Sequence, residues 1–303
     1  MKIENNHVLA PPLQDSFTPL FRPDPISPEE IIDVMKRLYD LDISSFDPQF
    51  LMKSVERRVQ ATDCISVENY LTGCLVNDYE EAITLYRSLR IGYSTFFRSP
   101  LTYALLEVHV LPDLIDKAKK SGRSGLRIWS AGCSAGQECW SLAMLLDQTD
   151  IPPARRVSWL IFGTDLHEPD LATARTGIYS SSELGNVRLQ HLHACFTPQN
   201  EGFSVATHLR DHVEFSLFDL LDSNSTCPPS SIFGDFDLIL WCNVLIYYRP
   251  AHQRQILDKL LDCLTPGGYL VTGETERWIA YSTANLHKLT SMAPIFYKNK
   301  GDL

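Results

Sequence analysis

The sequence predicts an α/β protein in which an open, mostly parallel sheet flanked by helices follows a small all-helical domain. Three observations carry this. Four successive helical patterns fill residues 26–92. From about residue 100, apolar runs of strand length alternate with helical patterns, as parallel strands joined by crossover helices require. The strand-like runs also lead into Gly, Asp or Asn, residues suited to the turn that leaves a strand.

Residues 1–25 contain five prolines and no hydrophobic period, and are expected to form a flexible lead-in. Order is predicted to begin at Ser27-Pro28-Glu29-Glu30, with an N-cap serine, proline at the first helical position and glutamate at the third. Ile31, Val34, Met35 and Leu38 follow at helical spacing. Further helices are predicted at 48–60, 66–76 and 79–90. The second displays Lys53, Arg57 and Arg58, with Lys53 and Arg57 four apart on one face. That face is either ordinary solvated surface or a docking site for an acidic protein partner.

The second domain is predicted over 93–303. A helix spans Leu101–Lys120, and Leu126–Ser130 is a strand leading into Gly132-Cys-Ser-Ala-Gly136. A helix follows through Glu138 to Leu146. Val157–Phe162 is a buried strand closed by Gly163-Thr-Asp165, with a helix to about Thr176. The polar stretch 181–213 interrupts the alternation and is expected to be a small inserted subdomain. Its histidines His191, His193, His208 and His212 lack a consistent ligand spacing, so no metal is expected. Phe236–Trp241 is a strand, a helix follows Pro250, Thr265–Gly268 is a turn, Tyr269–Thr272 a strand, and Ile295–Tyr297 the last strand.

The chain has 303 residues, 44% hydrophobic and 21% charged, a composition that supports a globular core. A formal net charge of −10 argues against a nucleic-acid partner, since phosphate contacts need a basic surface. No apolar run approaches the ~18 residues of a membrane span, and the first residues lack a secretory signal's apolar stretch. A cytoplasmic monomer is expected. The eight cysteines contain no CxxC pair and read as reduced thiols.

In an open parallel sheet, ligands bind beyond the carboxyl ends of the strands. Gly132 and Gly136 flank the first strand-to-helix turn, where a ligand can approach the backbone. Asp165 ends the second strand, where a carboxylate can accept from both ribose hydroxyls. Asp219 and Asn243 come from later strand ends. The turn has neither the Lys-Ser/Thr of an ATP loop nor the G-x-G-x-x-G of a pyrophosphate site, so a nucleoside without phosphates fits better. The rival is an α/β-hydrolase, because Gly132-Cys-Ser-Ala-Gly136 also matches G-x-S-x-G with Ser134 as nucleophile. Against it, no oxyanion-hole segment precedes the turn, which follows the first strand instead of several.

Five ordered blocks now carry a resemblance. Ser94-Thr-Phe-Phe-Arg98 resembles T-x-F-F-R. Trp129-Ser-Ala-Gly-Cys-Ser-Ala-Gly-Gln-Glu138 with Ser141-Leu-Ala-Met144 resembles S-x-G-x-S-x-G-E-E-P-Y-S-x-A-M. Gly163-Thr-Asp165 with Ala174-Arg175 and Gly177-Ile-Tyr179 resembles T-D-I…A-R-x-G-x-Y. Asn243-Val-Leu-Ile-Tyr247 and Leu264-Thr-Pro-Gly-Gly268 resemble R-N-V-x-I-Y and L-x-P-G-G. These are motifs of the CheR-type chemotaxis receptor methyltransferases, and the likeness covers about residues 30–298. It implies a Rossmann-like class I methyltransferase sheet with a small β insertion, binding S-adenosylmethionine and releasing S-adenosylhomocysteine. It puts cofactor contacts at Ser94, Arg98, Glu138, Asp165, Asp219, Leu220, Cys242 and Asn243, and Arg98 and Tyr247 beside the reacting methyl group. The implied acceptor is a glutamate in the cytoplasmic domain of a chemoreceptor-type protein.

The chain departs from the pattern at Gly92 (usually Asn), Ser94 (Thr), Cys139-Trp140 (Pro-Tyr), Asp219 (Asn), Cys242 (Arg) and Gly273-Glu-Thr-Glu276 (G-H-S-E). A glutamate with a pKa near ~4.3 is ionised at neutral pH, so its methylation needs no general base. The want of an obvious catalytic His or Lys agrees with that reaction. Arg98 could hold the carboxylate by two parallel hydrogen bonds; the bland alternatives are that it pairs with a structural acid and that Tyr247 only packs. Phe96 and Phe97 are expected in the core or a pocket wall. Two other readings remain: a cofactor-binding module without catalysis, and a methyltransferase for another carboxylate or a small molecule.

Overall fold

A computed structural model describes residues 25–90, 92–148, 157–200, 202–231 and 234–299. All but the last residue of the predicted lead-in over 1–25 lies outside them.

Helix α1 (Pro28–Tyr39) opens with the predicted capping box: Glu30 N donates to Ser27 Oγ (3.3 Å), and Ser27 N donates to the Glu30 carboxylate (2.9 Å). Helix α2 (Pro48–Ala61) is capped by Asp47, whose Oδ1 accepts from Gln49 N and Phe50 N. The pattern over 66–76 becomes a single turn, α3 (Val67–Asn69), that widens into a π-helical segment over Tyr70–Leu75. Helix α4 (Tyr79–Ser88) is capped by Asp78. The apolar stripes of these helices meet in one core that includes Ile31, Met35, Leu51, Val55, Leu75 and Leu85, all solvent-free.

The predicted helix over 101–120 is built as α5 (Pro100–Leu105), a π-helical stretch over Leu106–Val110, and α6 (Leu111–Lys120). Pro112 accounts for the wide turn, because it offers no N–H to the preceding carbonyl and its ring crowds that turn.

Beyond α6 the strands β1 (Gly125–Ala131), β2 (Ser158–Asp165), β6 (Val213–Leu217), β7 (Phe236–Trp241), β8 (Leu264–Thr272), β9 (Leu286–Lys288) and β10 (Ile295–Lys298) form one sheet in the order β6-β2-β1-β7-β8-β10-β9. Pairing is parallel from β6 to β8, and β10 lies antiparallel between β8 and β9. Alternate residues serve opposite faces: Ile128, Leu238 and Val271 enter one core, Trp129, Ile239 and Leu270 the other. Helices α7 (Gln137–Asp147), α8 (Glu168–Thr176), α11 (Pro250–Cys263) and α12 (Arg277–Tyr281) connect or flank the strands.

Two details differ from expectation. The predicted turn at Thr265–Gly268 lies inside β8, where five residues span the distance of two on β7, between the pairs Phe236↔Leu264 and Leu238↔Tyr269. Its turn chemistry makes a bulge, with Gly267 at φ 78°. The insertion carries a three-stranded antiparallel sheet of β3 (Ile178–Tyr179), β4 (Phe196–Gln199) and β5 (Gly202–Val205), with α9 (Leu189–Cys195) and α10 (Thr207–Arg210). It starts at Ile178, ahead of the expected 181.

Candidate active site

The chain order places β1 between β2 and β7, so crossovers leave β1 in opposite directions and open a crevice at the strand ends. Into it project the residues after β1 (Gly132, Ser134), the end of β2 (Asp165, Leu166), Phe218 and Leu220 after β6, and Cys242, Asn243 and Tyr247 after β7. Helix α7 supplies Glu138, and the segment before α5 supplies Ser94 and Arg98. The cleft holds about 1180 Å³ of empty space, its open mouth included, ample for a nucleoside.

The loop after β1 folds back on β2: Gly132 N and Cys133 N both donate to Thr164 O, at 2.8 and 2.9 Å. Gly132 has φ 82°, and a Cβ there would come within 2.4 Å of Val244 Cγ2, so glycine keeps this wall thin. Asp165 Oδ2 accepts from Ser134 N (2.8 Å) and Oδ1 from His167 N (2.9 Å). Burial pushes the Asp165 carboxyl above its ordinary pKa, opposed by those two amides. Glu138 is likewise raised by burial, against Ser130 Oγ (2.6 Å), Cys242 and the charge of Arg98.

Arg98 is exposed at the mouth. Its Nη1 donates to Tyr93 O (3.2 Å), and the guanidinium lies 5.5 Å from the Tyr93 ring centre. It has no carboxylate partner among the described residues, which removes the alternative of a structural ion pair. Tyr247 is half-buried, its ring 4.8 Å from Phe50. Burial raises its hydroxyl pKa, and the Arg98 charge opposes the rise. The segment carrying Arg98 is anchored by Phe97, at φ 50°, whose N–H donates to Ser141 Oγ (3.1 Å). Phe96 and Phe97 are core.

Of the residues expected to bind cofactor, Ser94, Arg98, Gly132, Glu138, Asp165, Leu220, Cys242 and Asn243 line this one cleft. Asp219 does not. It is exposed, and its Oδ1 accepts from Leu221 N (2.8 Å), shaping the turn that presents Leu220. On α2, Lys53 and Arg57 are exposed, but Arg58 turns inward. Its Nε and Nη2 donate to the Glu81 carboxylate at 2.8 and 2.7 Å, and Tyr70 OH donates to the same group at 2.6 Å. Arg58 therefore leaves the predicted docking set. The departures at Cys139 and Trp140 are fully buried in α7, away from the cleft lining. At Gly92, Asp170 Oδ2 sits 1.5 Å from where a Cβ would stand, so that carboxylate fills the place of a side chain at 92.

Arg90, Tyr93, Tyr103 and Tyr248 also line the cleft and were not foreseen. Arg90 reaches in from the end of α4, donating to Leu166 O (3.2 Å) and Tyr86 OH. Only folding reveals it, since the helical pattern marks it as one more surface cation.

The lining suits an uncharged ribose bearing a cationic tail. Two partly buried carboxylates, Asp165 and Glu138, face the space, and Ser134 Oγ is buried there without a partner among the described residues. A pyrophosphate would meet those carboxylates unfavourably. Among the described residues no histidine lines the cleft, so none stands beside Ser134 as a general base and the hydrolase reading fails. Among the described residues no group of three or more His, Cys, Asp or Glu is placed to hold a metal ion, and no helix is long and apolar enough to cross a membrane.

Comparison with known proteins agrees with this geometry. Residues 93–293 match the family described as CheR methyltransferase, SAM binding domain. The Escherichia coli K12 chemotaxis protein methyltransferase is 34% identical over 229 residues, 73% of this chain and 74% of that protein. Chemotaxis protein methyltransferase 1 of Pseudomonas aeruginosa is 35% identical over 185 residues, 60% of this chain and 64% of that protein. An uncharacterized 104.1 kDa protein of Rhodobacter capsulatus is 28% identical over 246 residues, 81% of this chain but only 25% of that protein. This chain thus spans somewhat under two thirds of the Pseudomonas protein and about a quarter of the Rhodobacter one. From the matched span and the E. coli likeness together, the chain belongs to the CheR methyltransferase family, and its cofactor is S-adenosylmethionine.

Proposed function

We propose that the protein methylates glutamate side chains in the cytoplasmic domain of a chemoreceptor-type protein, giving the glutamate methyl ester and S-adenosylhomocysteine. The observation that carries this is Arg98: a guanidinium at the cleft mouth, lining it with Tyr247, with no carboxylate partner among the described residues. Bound S-adenosylmethionine supplies a methyl group on a positively charged sulfur. Asp165 is suited to the ribose hydroxyls and Glu138 to the cationic tail. Arg98 would hold an incoming carboxylate by two parallel hydrogen bonds, and Tyr247 would fix its other side. The acceptor is ionised near neutrality, so these residues have no proton to remove. Their task is alignment, which can contribute ~7–11 kcal/mol in favourable intramolecular cases. Lys53 and Arg57 offer cationic surface for the acidic partner.

The test begins with calorimetric titration by S-adenosylhomocysteine. Micromolar affinity that disappears in Asp165→Ala supports the cleft assignment. Labelled methyl transfer to receptor fragments then identifies the product, and label released by mild base as methanol is the ester expected of glutamate. Base-stable label would overturn the glutamate assignment.

A further inference from the structure

Glu276 follows the carboxyl end of β8 and is only 1% exposed. Among the described residues no cation pairs with it. Its carboxylate instead accepts four backbone amides. Oε2 takes Asn243 N (2.7 Å) and Gly273 N (3.0 Å), and Oε1 takes Leu245 N (2.6 Å) and Ile246 N (3.4 Å). Three of these donors belong to one short loop, 243–246. The close approach depends on Gly273, where a Cβ would stand 2.6 Å from Glu276 Oε2 and 2.9 Å from Asn243 N. The same loop is held from α11 through its carbonyls: Gln253 Nε2 donates to Leu245 O (3.0 Å) and Tyr248 O (2.8 Å). Asn243 sits at φ 60°, a conformation a non-glycine residue keeps only when its surroundings impose it.

The geometry points to Glu276 as the positioning residue for the loop that presents Asn243 and Tyr247 to the cleft, with Gln253 completing the hold from the carbonyl side. This rests on reading that loop as part of the cofactor and acceptor site. Only an ionised carboxylate offers acceptors in every direction that these amides demand. A glutamine would turn an NH₂ group against at least one of the donors. Burial raises the Glu276 pKa, and the four amides oppose it, so the ionised form is held by the loop as much as the loop is held by it.

The test is Glu276→Gln in the full chain, read by amide hydrogen exchange and by calorimetric titration with S-adenosylhomocysteine. A hydrogen bond to a charged group is worth about 1.5–3 kcal/mol, or roughly ten- to a hundredfold. We expect exchange at 243–246 to quicken by at least about tenfold and the affinity to fall by a similar factor, with β1 and β7 still protected. Exchange that quickens equally throughout the sheet would mark Glu276 as merely structural. Unchanged loop exchange and affinity would overturn the proposal outright. If the glutamine variant does not fold, Glu276→Asp, which keeps the charge on a shorter reach, is read by the same criteria. A wild type that fails to bind the nucleoside defeats the cleft reading, whereas binding that Glu276→Gln leaves intact defeats only the positioning role.

Discussion

Lys53, Arg57 and Arg58 are three cations within six positions of one helix, yet the structure gives them different roles. Helical spacing shows that Lys53 and Arg57 share a face. Nothing local to α2 shows that Glu81, 23 residues on, receives both a fork from Arg58 and the hydroxyl of Tyr70. Burial, then the Glu81 carboxylate, pushes the Tyr70 hydroxyl far above its ordinary pKa. Removing one member of such a largely buried pair strands the other charge, so Arg58→Ala should lower unfolding stability by about 3 kcal/mol. Tyr70→Phe should cost about 1 kcal/mol. Lys53→Ala and Arg57→Ala should stay within about 0.5 kcal/mol. Urea titration of the four variants checks the ranking, and an Arg58→Ala protein as stable as Lys53→Ala would refute it. Arg98 is the converse case, exposed and, among the described residues, without an acid. Arg98→Ala should leave the melting temperature unchanged and lower turnover by at least about a hundredfold. Arg98→Lys should recover little, because ammonium lacks the planar fork. A folded, active alanine variant would remove Arg98 from the reaction.

At the scale of elements, the insertion meets the segment that carries Arg98 through ring contacts, Phe96 against Tyr179 and Phe196, and Phe97 against His191. His191 on α9 lies solvent-free against Phe97, ring centres 5.4 Å apart and nearly parallel. Burial, helped by Arg188, lowers its pKa below the ordinary value. The unfolded chain therefore takes up a proton near pH ~6.5 that the folded chain resists. Stability contributed by neutral His191 is present above pH ~6.5 and is lost as pH falls through its depressed folded pKa. Chemical unfolding between pH 7 and 5 should show this loss, and His191→Leu should flatten it. Equal slopes for the two proteins would mean that the ring titrates freely. The elements were legible where a period runs long enough: α1, α2, β1, β7 and α11 stand where spacing puts them. The three-residue β9 offers no period at all. The bulge in β8 hid behind Pro-Gly-Gly, because turn residues report a backbone departure without saying whether the chain reverses. Glu276 stands out in the sequence only as the end of Gly273-Glu-Thr-Glu276, and its role is hidden for a related reason. Its role lies in where backbone amides converge, and side-chain identities in the sequence do not record that.

At the scale of the molecule, the helices before residue 90 form part of the site wall. Asp47 N donates to Tyr247 O (2.8 Å), and Arg249 N to Ser45 O (2.9 Å). Phe46 stacks on Tyr248 with centres 5.6 Å apart, and Phe50 packs against the Tyr247 ring. Phe46, Leu89 and Arg90 also line the cleft. Asp47 caps α2, and Phe50 lies in the first turn of that helix, which also displays Lys53 and Arg57. A partner docked on that face, as proposed, would press on the element that packs against Tyr247, one helical turn away. Phe50→Ala tests this link because Phe50 supports Tyr247 without lining the cofactor cleft. The variant should bind S-adenosylhomocysteine as the wild type does, while turnover on receptor fragments falls by about tenfold, the equivalent of ~1.4 kcal/mol. Calorimetry and a methyl-transfer assay on the same preparation separate the two effects. If turnover holds while affinity drops, Phe50 serves the cofactor side and the link from α2 to Tyr247 is wrong. If turnover alone falls, the helical part of the chain acts on the acceptor step, and docking and alignment share one piece of structure.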